Sequence, residues 1–287
     1  METLHRWSKF IEEIRLEEWE NRFVAEGVCY VLEKTVSRSR WLISVYTASR
    51  EDAETLLSRF GGSIESLSPA QWQPAPGSGE AMLLRVRDSL IVTGSEDPSV
   101  IEGLAEKHPG RFILSFPPQL AFGTGSHPTT AGCLRFLVDF SKTRQGRSWS
   151  VLDLGCGSGI LAIAAAKLGA AGVVAVENDG MALIYARENA ERHGVADRIE
   201  FIEGDAIALM EGEAENPYDL IAANLFSDLL EVLFPRFPTH LAPDGELILS
   251  GFLATQADSI AKHAAAAGLP LAATVKRGKW MAGRAPR

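Results

Sequence analysis

The sequence predicts an α/β protein: a doubly wound parallel β-sheet preceded by a smaller α+β unit. Three observations lead there. From Ser150 onward, continuous apolar runs alternate with amphipathic ones. A glycine-rich turn, Asp153 to Gly159, joins the first apolar run to the first helix-like one. Upstream of residue 67 the rhythm is instead helix, strand, helix, with no such loop.

Taken in order, residues 12–26 read as a helix with Ile14, Trp19 and Phe23 on one face. Arg40–Thr47 (RWLISVYT) is β-branched and aromatic, hence a strand. Ser49 caps a second helix through Leu57 and Phe60, which Gly61-Gly62 closes. Residues 69–80, rich in proline, glycine and glutamine, read as a linker. Leu83–Val92 and Arg111–Ser115 are short strands around a helix from Pro98 to Lys107. Then come strand-like VLDLG, VVAVE, IEFIEG, YDLIAANL and ELILSGF, separated by ILAIAAAKLG, MALIYARENAERHG and DLLEVLFPRF and followed by ATQADSIAKHAAAAG. Unbroken apolar strands mean parallel β buried on both faces, and right-handed crossovers wind them into one sheet. The expected units are therefore 1–66, a connecting segment 67–110, and a catalytic domain 111–287. In such sheets ligands sit at the carboxyl ends of the strands.

Composition narrows the classes. An apolar share of 46% and a charged share of 23% are those of a globular chain. Net charge is −9, which argues against a globally basic nucleic-acid binder. Cys29, Cys133 and Cys156 are three and far apart, so neither a disulfide framework nor a zinc site is expected. The charged start and the lack of a long apolar run predict a cytoplasmic protein with no membrane partner. The residues after Asp258 carry six bases and no acid, and read as a frayed, solvated end.

The chemistry gathers at the strand ends. Gly155, Gly157 and Gly159 let backbone turn tightly and approach a ligand closely. Ile160 stands where a dinucleotide fingerprint of the G-x-G-x-x-G type needs glycine, which disfavours an oxidoreductase. A Tyr30-x-x-x-Lys34 pair lies upstream of the loop rather than after the later strands, with the same implication. Glu177 ends the second strand 22 residues after Gly155, placed to accept from both hydroxyls of a ribose; Asp179 falls past the strand. Asp205 follows the third strand, where an exocyclic amino group would be accepted. Asn224 ends the fourth.

The form D-x-G-x-G-x-G resembles the loop of class I S-adenosylmethionine-dependent methyltransferases, whose sheet is Rossmann-like. Residues 121–130 (AFGTGSHPTT), then DLGCGSGILAIAAAKLGA and AANL, closely resemble the bacterial family that methylates ribosomal protein L11 of the large subunit. The resemblance covers roughly residues 112–260. It implies methyl transfer from S-adenosyl-L-methionine to lysine and N-terminal amines of that substrate, with a small N-terminal domain for recognition. Matched by motif, the cofactor contacts fall on Thr130, Gly155, Glu177 and Asn224. Two departures stand out. Val176-Glu177-Asn178-Asp179-Gly180 replaces the family's usual V-D-I-D-P, keeping an acid at the ribose position, and the first third matches poorly. Asn224-Leu225-Phe226 lacks the prolines usual in methylases of DNA adenine or glutamine amide. The alternatives are a related methyltransferase acting on another protein or a small amine, and a nucleotide-binding module of another class. No metal is required; His127 is a candidate proton acceptor, against a structural role in its loop.

Overall fold

The computed structural model describes every residue except 1–3, 26–27, 29, 35–39, 48, 68–82 and 118–126. Contacts divide the chain into Met1–Glu80 and Ala81–Arg287. The boundary falls inside the segment 67–110, whose residues from Ala81 on belong to the second unit. The linker residues 69–80 lie outside the described residues.

The first unit is a four-stranded antiparallel sheet, order β2-β3-β1-β4, from β1 (Leu4–Glu12), β2 (Val31–Lys34), β3 (Arg40–Thr47) and β4 (Ser63–Leu67). With α1 (Leu16–Ala25) and α2 (Arg50–Phe60) it has the split β-α-β-β-α-β arrangement. Ser49 accepts the Asp52 amide at 3.1 Å, and Gly61 closes the helix at φ 65°, as its residues predict. The first helix is a correction. Residues 4–12 form a strand and helix begins at Leu16, so Trp19 and Phe23 are buried while Ile14 is exposed. On β1, Trp7 and Ile11 point into an aromatic core with Trp19, Phe23 and Ile43. Lys9 lies between them and donates to the Phe60 carbonyl.

The second unit opens with β5 (Leu83–Val86) and β6 (Leu90–Thr93), an antiparallel pair, then α3 (Pro98–Lys107) and β7 (Phe112–Ser115) parallel to β6. After α4 (Pro128–Thr143) comes the main sheet, order β10-β9-β8-β11-β12-β14-β13. Its parallel strands are β8 (Ser150–Leu154), β9 (Gly172–Glu177), β10 (Ile199–Glu203), β11 (Tyr218–Asn224) and β12 (Leu241–Leu253). Two-residue periodicity sends neighbouring side chains to opposite faces. Val151, Leu220, Ala222 and Ile248 join α4, α5 (Ile160–Lys167) and α6 (Gly180–Arg192) in one core. Leu152, Ile221, Ala223, Leu247 and Leu249 join α8 (Ser227–Leu233), α9 (Phe237–His240) and α10 (Ala257–Ala266) in the other. The sheet is thus covered on both faces, which is why its strands read as unbroken apolar runs.

The chain end is the second correction. Beyond α10, β13 (Ala273–Arg277) and β14 (Trp280–Pro286) form a hairpin, and β14 pairs antiparallel with β12. Ala282 and Ala285 are buried. Lys276, Arg277 and Lys279 are exposed, while Arg284 meets the buried Glu246 at 3.5 Å and Arg287 donates to the Leu241 carbonyl, so the basic end is tied into the sheet.

Candidate functional site

β8 lies between β9 and β11, so three strand ends meet at one edge. Leu154 stands opposite Val176 on one side and Ala223 on the other. Gly155 and Cys156 both donate their N–H groups to the Val176 carbonyl, at 2.9 and 3.0 Å. The chain then turns through Gly155, Gly157 and Gly159 at φ 68°, 52° and 78° into α5. A Cβ on Gly155 would collide with Leu225 Cδ2, and one on Gly251 with the Leu225 carbonyl. Leu225 is thereby clasped between β8 and β12, and its N–H donates to Ser250 O at 3.1 Å. That clasp holds Asn224 at the mouth of the turn.

Glu177 faces the same turn. Its Oε2 accepts the Gly157 N–H at 2.8 Å, and Oε1 accepts from Asn178 and Asp179 at 2.9 and 3.1 Å. An ionised carboxylate has about four acceptor positions, so three amides orient it and leave capacity for a ligand donor. Asp179 caps α6 through the Met181 N–H at 2.9 Å. Asp205 likewise caps α7 (Ala206–Leu209), accepting from Ala208 at 2.9 Å.

Helix α4 leads by a short connection into β8, which sets its N-terminus at the carboxyl edge of the sheet. Thr130 lies in its first turn, wholly buried. His127 caps that helix: Nδ1 meets Thr129 Oγ1 at 2.7 Å, and the ring sits edge-on to Trp280, centroids 4.9 Å apart. Burial, and then the Lys279 charge, hold the imidazole below its ordinary pKa. Residues 121–126 of the same loop lie outside the described residues.

Three buried polar atoms at this edge have no protein partner among the described residues: Thr130 Oγ1, Asp153 Oδ1 and Asn224 Oδ1. Buried polar atoms are ordinarily paired, and here two acceptors and a hydroxyl wait beside a bare glycine turn and an oriented carboxylate. Such a cradle fits a cationic ligand carrying N–H and O–H donors.

The sequence profile of the family described as "Ribosomal protein L11 methyltransferase (PrmA)" matches residues 84–286, which contain this whole edge. The chain belongs to that family. A ribosomal protein L11 methyltransferase of Methylococcus capsulatus is 45% identical over 169 residues, 59% of this chain and 54% of that protein. One from Brucella suis is 34% identical over 260 residues, 88% of this chain and 87% of that protein, so this similarity extends into the first unit. Several relatives are matched over only about half their length. The crystal structure of a ribosomal protein L11 methylase from Lactobacillus delbrueckii subsp. bulgaricus superposes with TM-score 0.59 at 28% identity, covering 71% of this chain and 98% of that one. The strand order and the antiparallel β14 thus belong to a class I methyltransferase sheet. Among the described residues no helix is long and apolar enough to cross a membrane.

Two buried polar residues that hold the turn and its strand were not singled out by sequence reasoning. Asn189 is buried on α6, and its Nδ2 donates to the Ser158 carbonyl at 2.9 Å, bolting the turn from behind. The signal was a polar residue on the stripe of Ala182, Ala186 and Ala190. Asp153, an acid within a strand buried on both faces, accepts the Ala162 N–H at 3.0 Å. Burial pushes its carboxyl up to about 7, the Ala162 bond opposes this, and the Glu177 charge adds to it.

Two expected results follow from this geometry. Glu177→Ala weakens S-adenosyl-L-methionine binding by roughly 1.5–3 kcal/mol, the scale of hydrogen bonds to a charged group. Glu177→Gln, which keeps one acceptor, loses less. Titration calorimetry on folded variants checks both, and unchanged affinity in Glu177→Ala removes this residue from the site. For Asp153, the folded pKa exceeds the unfolded value of about 3.9, so the folded state holds the proton more tightly. Its contribution to stability is therefore full below about pH 4 and lost as pH rises toward 7. Relative to Asp153→Asn, the wild type should lose stability across that window; parallel denaturation curves from pH 4 to 7 would refute it.

Proposed function

We propose that this chain transfers methyl groups from S-adenosyl-L-methionine to lysine side-chain amines, and to the N-terminal amine, of ribosomal protein L11. The observation that carries the reading is the family match over residues 84–286, laid on a sheet edge where Thr130, Asp153 and Asn224 leave polar atoms unpaired. The turn at Gly155, Gly157 and Gly159 would admit the cofactor against bare backbone, Glu177 would accept from its ribose hydroxyls, and Thr130 and Asn224 would complete the grip. Asp205 lies where the adenine amino group would be accepted.

The bound cofactor supplies an already activated sulfonium methyl group, so the protein need provide no nucleophile. Burial pushes the Cys156 thiol upward, with the Asp153 and Glu177 charges acting the same way, which excludes it from that role. What the chain must do is present a neutral amine in line, with about 3 Å between reacting atoms. A lysine ammonium, of pKa about 10.4, has no lone pair to offer. Desolvation at the sheet edge favours the neutral form, the ammonium proton passing to water. Asn224 Oδ1 accepts one N–H of the amine and aims its lone pair at the methyl carbon. His127, engaged with Thr129, serves to hold the start of α4. The first unit supplies recognition of the protein substrate. The test is transfer of labelled methyl groups into purified ribosomal proteins, mapped by mass spectrometry. Label on L11 lysines is the expected result, and label confined to other proteins overturns the substrate.

A further inference from the structure

Away from the glycine turn, four arginines from three separate parts of the chain meet around one cleft of about 260 Å³ in the second unit. Arg85 and Arg87 come from β5 and the turn after it, Arg135 from α4, and Arg277 from the end of β13. Leu84 and Ala131 add apolar wall. The convergence is built by packing: Gly132 lets α4 lie directly on Ala282 and Val275 of the terminal hairpin, which brings Arg277 to the side of Arg135.

The charges are not balanced from within. Arg87 is held by Asp139 at 2.5 Å, and the neighbouring Asp88 is taken by Lys142 at 2.5 Å. Arg85, Arg135 and Arg277 have no acidic partner among the described residues. The positive field spreads beyond the cleft: His108 is held below its ordinary pKa by desolvation and then by Arg85, Arg111 and Lys107. Three unpaired guanidinium groups around one concavity repel one another, and a cleft lined by one sign of charge concentrates counter-ions. This occurs in a chain whose net charge is −9, so it is a local concentration and not a reflection of composition.

We infer that the cleft between β5, α4 and β13 is a binding site for a phosphate group, with Arg85, Arg135 and Arg277 as its ligands. Guanidinium forks match phosphate oxygens in paired hydrogen bonds. Three positive charges call for more than one negative charge, which a phosphate monoester supplies at about −1.5 to −2 and a carboxylate does not. The volume is below the roughly 300–1,000 Å³ of pockets that enclose whole drug-sized ligands, so the phosphate enters while the molecule carrying it stays outside. That carrier is either a small phosphorylated metabolite or the 5′-terminal monophosphate of an RNA; the recognition chemistry is the same. The inference is independent of the methyl-acceptor assignment.

The test uses full-length protein and calorimetric titration with inorganic phosphate at fixed ionic strength, with chloride as the control. Saturable binding is expected in the wild type. Arg135→Gln and Arg277→Gln should each weaken it about tenfold or more, the equivalent of about 1.4 kcal/mol. Affinity for S-adenosyl-L-methionine, measured on the same samples, should stay unchanged and certify that the variants are folded. Arg277 is exposed on a hairpin, so its variant remains informative even if Arg135→Gln is unstable. A second titration with a short single-stranded RNA bearing a 5′-monophosphate identifies the carrier: RNA binding tighter than phosphate, and lost in the same variants, indicates a polynucleotide end, and equal or weaker binding indicates a small molecule. No phosphate binding beyond chloride, or variants that bind as the wild type does, overturns the site.

Discussion

Replacing Gly157 by valine is expected to abolish S-adenosyl-L-methionine binding, a loss beyond about a hundredfold, while most of the fold survives. Gly157 has φ 52°, a conformation in which a β-branched side chain is strained by roughly 1–3 kcal/mol. Relaxing that strain rotates the peptide and withdraws its N–H from Glu177 Oε2, now 2.8 Å away. One substitution therefore disturbs both the turn and the carboxylate beside it, and places two methyl groups where the ligand approaches backbone. The cores on the two sheet faces do not include this residue, so cooperative unfolding persists. Gly157→Ala separates the causes: it carries the backbone strain without the branched bulk, and should retain measurable affinity. A normal dissociation constant for the valine variant would remove this turn from the site.

Deleting residues 1–80 should leave cofactor affinity within about twofold, under roughly 0.5 kcal/mol, while methyl transfer to L11 falls about a hundredfold or more. The two units have separate cores. The aromatic cluster of the first is drawn from Trp7, Trp19, Phe23, Ile43 and their neighbours, and those of the second from Val86 onward, with Leu84 packed against them. Truncation at the contact boundary therefore leaves the two cores of the second unit complete. A substrate lysine is a small target, and interactions remote from the reacting nitrogen provide most of what distinguishes one protein from another. Removing them raises the barrier for L11 while leaving the methyl donor's contacts untouched. Rates with full-length and truncated enzyme, measured beside cofactor titrations, decide the matter. Undiminished L11 methylation by the truncated protein would move recognition into the second unit.

The doubly wound sheet, its helices and its glycine turn were legible because each rests on neighbours in sequence. Two-residue alternation of Leu220 to Ala223 onto opposite cores needs only local periodicity to be recognised. Spacing likewise put Glu177 at the end of β9, and a serine before an acidic turn marked the start of α2. What stayed hidden depends on partners far along the chain. β1 mixes charged and apolar residues, and becomes a strand because β3 and β4 flank it about 40 and 60 residues later. The basic terminal residues look solvated in isolation, yet β14 completes the sheet on β12. Leu225 is fixed by two glycines, 155 and 251, nearly a hundred residues apart. The unpaired atoms of Thr130, Asp153 and Asn224 are likewise set by tertiary structure, since whether a polar atom finds a partner depends on everything packed around it. Local sequence determined the elements and the residue types brought to the strand ends; long-range pairing and packing decided which strands close the sheet and which polar atoms remain available to a ligand.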